Sequence, residues 1–207
     1  DEVAPTITSG DTAAAIDENE DAQVIYTATA DDSADISNGV TFSLGEDSDS
    51  ALSIDSETGE VSVNVSPDHE TQSVYSFSVI ATDAANNVSS EQSVSLDIND
   101  LDDTAATITS GETADVIDEN SGAGQVIYTA TADDSADVSD GISFSLAAGS
   151  DAALSIDTDS GAVTLSADPD ADTQSVYDFT VVVTDVAGNA SEQAVSLDIN
   201  NLDEVAP

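Results

Sequence analysis

No lysine and no arginine occur among the 207 residues, against 44 aspartates and glutamates and a single histidine, His69, so the formal charge is −44. Every carboxylate is repelled by the others and has no side-chain cation to pair with, so a cation from solution has to take that place. DNA, RNA and anionic membrane surfaces reward Lys and Arg, and all three are excluded as partners. Cysteine is also absent, which removes disulfides, thiolate metal sites and a cysteine nucleophile. No apolar run approaches the roughly 18 residues of a membrane span, and no basic segment leading into an apolar one opens the sequence. The expectation is a soluble segment, without direct membrane insertion, whose secretion signal, if any, lies elsewhere.

What is present argues against a disordered acidic tail, because 39% of the residues are apolar and they are interleaved with the charge. The chain repeats itself. "TITSG" at Thr6 to Gly10 returns at Thr107 to Gly111, "QVIYTATADDSAD" at Gln23 to Asp35 returns at Gln125 to Asp137, and "LDIN" at Leu96 to Asn99 returns at Leu197 to Asn200. The two copies agree at about three positions in five. A unit of about 100 residues is a full small domain rather than a solenoid repeat. The modules are assigned to residues 1–101 and 102–207, the second carrying the start of a further linker. The closing "DEVAP" at Asp203 to Pro207 repeats the opening Asp1 to Pro5, as in an excerpt from a longer array.

Within a module the apolar period is two. Val24, Tyr26, Ala28 and Ala30 alternate with polar residues, as do Phe42 and Leu44, Leu52 and Ile54, Val61, Val63 and Val65, Tyr75, Phe77, Val79 and Ala81, and Val94, Leu96 and Ile98. With a first strand near Thr6 to Ser9 this predicts seven strands separated by turn clusters such as "SNG", "SETG" and "DAANN". The fold class expected is all-β: two tandem seven-stranded antiparallel Greek-key β-sandwiches. The tyrosines and phenylalanines lie on the alternating faces and read as core.

The acidic motifs can then be placed on the sandwich. "IDEN" (Ile16 to Asn19) precedes the second strand, "PDHE" (Pro67 to Glu70) precedes the sixth and "DIND" (Asp97 to Asp100) ends the last, so the three converge at the C-terminal pole of a module. "ADDSAD" (Ala30 to Asp35) follows the second strand and Asp83 ends the sixth, at the opposite pole. Joined by "NDLDD", two such acidic poles would repel unless a divalent cation sat between them.

These residues resemble the calcium motifs of the cadherin repeat: "DEN" at Asp17 to Asn19, "D-x-E" at Asp68 and Glu70, "ATD" at Ala81 to Asp83 and "DINDLD" at Asp97 to Asp102, in the same order and at similar spacing. The resemblance covers both modules almost end to end. Within that family the lack of Lys, Arg and Cys and the abundance of Ala, Asp, Ser and Thr resemble the extender modules of giant bacterial adhesins of the repeats-in-toxin type. The resemblance implies a junction at which Glu18, Asp68, Glu70, Asp100 and the carbonyl of Ile98 hold Ca2+. A further ion would be held by Asn99, the carbonyl of Leu101, Asp102, Asp185 and the aspartates Asp133, Asp134 and Asp137 of "DDSAD". Which of those three ligate stays open, because family modules carry D-x-D there. Terminal half-sites would involve Asp31, Asp32, Asp35 and Asp83 at one end and Glu119, Asp170, Asp172, Asn201 and Asp203 at the other. Calcium suits such a seam, since it takes six to eight oxygens in flexible geometry whereas magnesium demands a tight octahedron.

An exposed carboxylate in so acidic a chain is ordinarily solvated surface, and it is the recurrence of matched sets at module poles that favours ligation. His69 has Ala171 as its counterpart in the second copy and reads as a loop residue. Paired carboxylates could serve glycoside hydrolysis, but no aromatic cleft accompanies them, and no enzymatic activity is expected. The functional expectation is a calcium-stiffened extracellular spacer on a bacterial cell surface. As a monomeric rod whose partners are neighbouring copies of the same module, it would project a distal ligand-binding domain for adhesion or biofilm formation. The alternative is a calcium-dependent module that recognises a polysaccharide or its own copies on another cell.

Overall fold

The computed structural model describes residues 2–34, 36, 39–138 and 141–202. The chain divides into two compact units, Asp1–Leu101 and Asp102–Pro207. Among the described residues every regular element is a strand, and no helix is long and apolar enough to cross a membrane.

In the first unit, β1 (Thr6–Ile7) pairs antiparallel with β4 (Ala30–Asp31). One sheet has the order β3 (Gln23–Thr27), β7 (Glu60–Val63), β6 (Leu52–Ile54). The other has the order β2 (Ile16–Asp17), β9 (Gln92–Asn99), β8 (Val74–Asp83), β5 (Val40–Leu44). Taking β1 with β2 and β3 with β4 as interrupted single strands, the nine reduce to the seven of a Greek-key sandwich. The chain changes sheet between β5 and β6 and again between β7 and β8. One pairing departs from an all-antiparallel plan: β2 runs parallel to β9, with Ile16 opposite Ile98 and Asp17 opposite Asn99.

The second unit repeats this plan with β10 (Thr107–Ile108), β11 (Ile117–Asp118), β12 (Gln125–Thr129), β13 (Ala132–Asp133), β14 (Ile142–Leu146), β15 (Leu154–Ile156), β16 (Ala162–Leu165), β17 (Val176–Asp185) and β18 (Ala190–Asn200). Its sheets have the orders β11-β18-β17-β14, β12-β16-β15 and β10-β13.

The period-two pattern fills each core. Along β8, Tyr75, Phe77, Val79 and Ala81 are all buried, and they meet Val94, Leu96 and Ile98 of β9. Leu96 is completely buried, a contribution of about 1.5–3 kcal/mol for a side chain of that size. Tyr26 packs edge-on against Phe77, with ring centroids 5.6 Å apart, and its hydroxyl donates to the Gly10 carbonyl. The alternation fails at a bulge in each unit. Val24, expected to point inward with Tyr26, is half exposed, and Ile25 is buried instead, because the pairing of β3 with β7 slips between Val24 and Tyr26. Val126 and Ile127 repeat the exchange at the equivalent slip. A bulge inserts one residue and so changes which face the next side chain takes. Val65, expected to continue the inward series, is also exposed, beyond the end of β7.

The turn between β6 and β7 shows why "SETG" ends in glycine. Asp55 accepts hydrogen bonds on Oδ1 from the backbone N–H groups of Glu57 (2.9 Å) and Thr58 (2.8 Å), and Gly59 closes the turn at φ 73°. A Cβ at Gly59 would lie 2.6 Å from the Ala28 carbonyl oxygen.

Candidate metal centre

The C-terminal pole of the first unit is built around a buried acid. Glu18, 1% exposed, follows β2 directly. The parallel pairing of β2 with β9 brings it beside the end of β9, where its N–H donates to the Asn99 carbonyl at 3.2 Å. Asn19 then takes φ 62°, a left-handed conformation that Asn tolerates, and donates its N–H to the Pro67 carbonyl at 2.9 Å. The asparagine of "DEN" is therefore a conformational residue that turns the chain onto the "PDHE" loop. Thus placed, Glu18 Oε1 accepts from the Leu101 N–H and Oε2 from the His69 N–H, each at 2.7 Å. One carboxylate ties the end of β2, the loop before β8 and the segment after β9 to one point.

Around Glu18 the expected acids gather. Glu18, Asp68 and Glu70 each offer a carboxylate oxygen within 4.8 Å of the other two, and His69, Glu70 and Asp100 form a second group by the same measure. Asp68 is held by the backbone N–H and hydroxyl of Thr71, both at 2.9 Å. Asn99 turns its amide toward Asp17, donating Nδ2 to Oδ1 at 2.8 Å. Ile98 points its side chain into the core.

The second unit's C-terminal pole has the same frame but different chemistry. Glu119, 3% exposed, accepts from Ala171 N–H at 2.9 Å and from Leu202 N–H, and Asn120 turns at φ 57° onto Pro169. Asp170 holds Thr173 just as Asp68 holds Thr71. Asn201, however, donates Nδ2 to Asp172 Oδ1 at 2.9 Å. An amide occupies the place of a repelling carboxylate. Among the described residues no group of three ligand atoms forms at this pole. Asp203 lies outside the described residues.

At the opposite pole of the second unit, Asp185 is 6% exposed. Its Oδ1 accepts from the N–H groups of Gly188 (2.7 Å) and Asn189 (2.8 Å), and its Oδ2 is buried with no hydrogen-bond partner. Asn189 directs its side chain to the Asp102 carbonyl (3.0 Å) and to Asp102 Oδ1 (3.3 Å). Asp137 Oδ2 accepts from the N–H groups of Asp103 (3.0 Å) and Thr104 (3.1 Å). Of the three aspartates of "DDSAD", Asp133 is exposed and occupied in a turn, accepting from Ser135 N–H, while Asp134 and Asp137 are half-buried. The described acids at this pole do not close to a three-ligand group.

The first unit differs at the same place. Asn87 donates its side-chain amide to Asp83 Oδ2 at 2.8 Å, and both oxygens of Asp83 are engaged. Burial raises the Asp83 pKa, but the Asn87 amide and the N–H groups of Asn87, Ala85 and Asn86 outweigh it and hold the carboxyl below the usual range. Asp31 caps Ser33, and hydrogen bonds from that serine lower its pKa too. Asp32 keeps a buried Oδ2 without a partner. Asp35 lies outside the described residues. The asparagine four residues after the buried aspartate, Asn87 or Asn189, was not among the expected site residues, although the spacing D-x-x-x-N recurs in both copies.

With this geometry in hand, residues 12–99 match the family model of the Cadherin domain. No curated protein matches the chain significantly. Solved structures match over nearly its whole length. Human protocadherin-24 EC1-2 is 16% identical with a TM-score of 0.72, covering 97% of this chain and 99% of that one. Drosophila N-cadherin EC1-4 is 20% identical with a TM-score of 0.75, covering 96% of this chain and 50% of that one. Protocadherin gamma B2 extracellular cadherin domains 3-6 are 19% identical with a TM-score of 0.72, and the chain covers 98% of itself but only 48% of that structure. The fold is therefore that of two cadherin-like domains in tandem.

Proposed function

We propose that the chain is a pair of calcium-binding spacer modules from an extracellular adhesin. The observation that carries this reading is Asp185: a buried carboxylate with an unpartnered oxygen, in a chain that has no lysine or arginine to offer it. A buried carboxylate oxygen without a partner is costly, and a hard divalent cation is one way to satisfy it. Glu18 makes the same case more weakly, because each of its oxygens accepts only one N–H although a carboxylate has about four acceptor positions. The donors available at both poles are oxygens, with one imidazole, which suits calcium.

In the first unit Glu18, Asp68, Glu70 and Asp100 would hold the ion, with the carbonyl of Ile98. In the second, Asp185, Asp134, Asp137 and Asp102 would do so, with Asp133 left to its turn. Bound calcium supplies charge neutralisation and fixes the linker residues to the body of the module that carries them. The linker already begins to be fixed in this way, through Leu101 to Glu18 and through Asp102 to Asn189. Stiffening of the tandem by calcium, a bacterial cell surface and further copies of the module along the same chain complete the proposal. Duplication of modules extends reach without a new binding site having to evolve, which supports a spacer over a recognition module.

Calcium titration by calorimetry, with parallel melting curves in calcium, magnesium and sodium chloride at matched ionic strength, tests it. Calcium is expected to raise the melting temperature well beyond the other two, because it acts by mass action on sites present only in the fold. Equal responses to all three salts would leave only charge screening and refute the proposal.

A further inference from the structure

We infer that His69, Glu70 and Asp100 form a site for a divalent transition-metal ion that prefers imidazole, with zinc the best match by chemistry. His69 is the only side chain in the protein that can offer nitrogen to a metal, and it stands among carboxylates. Its Nδ1 lies 3.6 Å from Glu70 Oε1 and 3.4 Å from Asp100 Oδ2. Those separations exceed the range of about 2.7–3.2 Å of good N–H···O bonds. They are close to the edge of about 3.3–3.4 Å that a tetrahedron has when its ligands sit at zinc distances of about 2.0–2.1 Å. Two edges from Nδ1 are thus near those of a zinc polyhedron, the three residues' ligand atoms lie within 4.8 Å of one another, and a fourth position is left for water.

The imidazole is held there by the frame already described. The His69 N–H is bound at 2.7 Å to the buried Glu18, and the ring is 28% exposed, so an ion can reach it. Calcium takes oxygen ligands, whereas imidazole suits zinc, copper and nickel, so the nitrogen adds a preference that the oxygen cage lacks. The second unit cannot form this site, since Ala171 replaces the histidine and Asn201 replaces the aspartate. Glu70 and Asp100 also belong to the calcium set, so the two ions compete at this pole. The inference does not rest on calcium binding: zinc is to be read in metal-stripped protein.

Because the chain has one histidine, its imidazole C–H signals in a proton NMR spectrum report on this position alone. Adding zinc to the metal-stripped chain, at a pH where imidazole is neutral, should shift those signals and saturate at one equivalent. Calorimetry on His69→Gln should show zinc affinity reduced at least tenfold, given that even outer-sphere partners of a metal are worth about 10–100-fold. The backbone N–H that binds Glu18 survives this substitution, so the fold is expected to persist, and an unchanged melting temperature of the variant in chelator checks it. Imidazole signals unmoved by one equivalent of zinc, or a His69→Gln chain that binds zinc as tightly as the parent, would overturn the inference.

Discussion

Replacing Glu18 with Gln separates a structural hydrogen-bond acceptor from a metal ligand. Glu18 accepts two backbone N–H bonds while sitting within 4.8 Å of oxygens on Asp68 and Glu70. Without metal, two opposing effects follow. Gln keeps one carbonyl oxygen and turns its NH2 toward the other N–H, which loses a bond and leaves a donor unsatisfied, at a cost of about 1–3 kcal/mol. Removing the charge relieves repulsion with two neighbours, at about 1 kcal/mol each in water and about 3.5 kcal/mol each at an effective dielectric of 20. Because Asp68 and Glu70 are exposed, the lower figure is the better guide, and the two effects nearly cancel. With calcium the balance changes: at 100 times its dissociation constant one ion stabilises the fold by about 2.7 kcal/mol. For a unit of this size that is about 10–20 °C in melting temperature. The variant is expected to melt within a few degrees of the parent in chelator and to lose most of the calcium-induced shift of the first unit. Equal destabilisation in chelator and in calcium would show that Glu18 is only a clasp for Leu101 and His69, and would refute its role as a ligand.

Three further outcomes can be checked on the same chain. Gly59→Ala should destabilise the first unit by more than the roughly 1 kcal/mol of an ordinary glycine change, measured by urea unfolding, because the new Cβ meets the Ala28 carbonyl and φ is positive. Asp55 and Asp157 are held below the ordinary carboxylate range, first by the N–H groups of Thr58 and Ser160 respectively, so the unfolded chain binds more protons than the fold as pH drops. Their contribution is complete above the unfolded value near 3.9 and disappears as pH falls through the lower folded values, so Asp55→Asn with Asp157→Asn should flatten the acid limb of a stability–pH curve. Asn201→Asp should lower the second unit's melting temperature in chelator, where the amide bond to Asp172 becomes a repulsion, and should raise its calcium response; a loss in both conditions would count against the charge argument.

The fold was legible because the period-two pattern is strong and occurs twice. Tyr75, Phe77, Val79 and Ala81 fall on one face whatever else happens in the chain. The pattern misassigned Val24, whose counterpart Val126 is exposed in the same way, and the cause is physical: a bulge shifts the phase of a strand without changing its composition, so periodicity can follow the strand only up to the slip. The pairing of the first strand was hidden in the same way. Residues between Ile7 and Ile16 let it leave one sheet and run parallel to β9 in the other, and nothing in the alternation of two-residue strands signals a direction.

The acids of the first pole were legible as a set because three separate motifs name one place once a sandwich is assumed, and Glu18, Asp68, Glu70 and Asp100 do gather. What composition could not reveal is which acids are already occupied. Asp31, Asp32 and Asp35 look equivalent to Asp133, Asp134 and Asp137 in sequence, yet Asp31 and Asp133 are spent on serine N–H groups. The two buried aspartates at strand ends, Asp83 and Asp185, carry the same asparagine four residues later, with different bonds in the two units. Asn87 folds back and satisfies Asp83, while Asn189 reaches out to Asp102 and leaves Asp185 Oδ2 open. The residue that corresponds to Asp102 in the first unit, Asp1, lies outside the described residues. If the open position is a ligand, Asn189→Ala should weaken calcium binding at this pole by loosening Asp102, while Asn87→Ala should leave calcium binding at the first unit's C-terminal pole unchanged. Calorimetry on the two variants compares them directly. Equal losses of calcium from both would mean that the asparagines act only on stability, and that the difference between Asp83 and Asp185 has no bearing on metal.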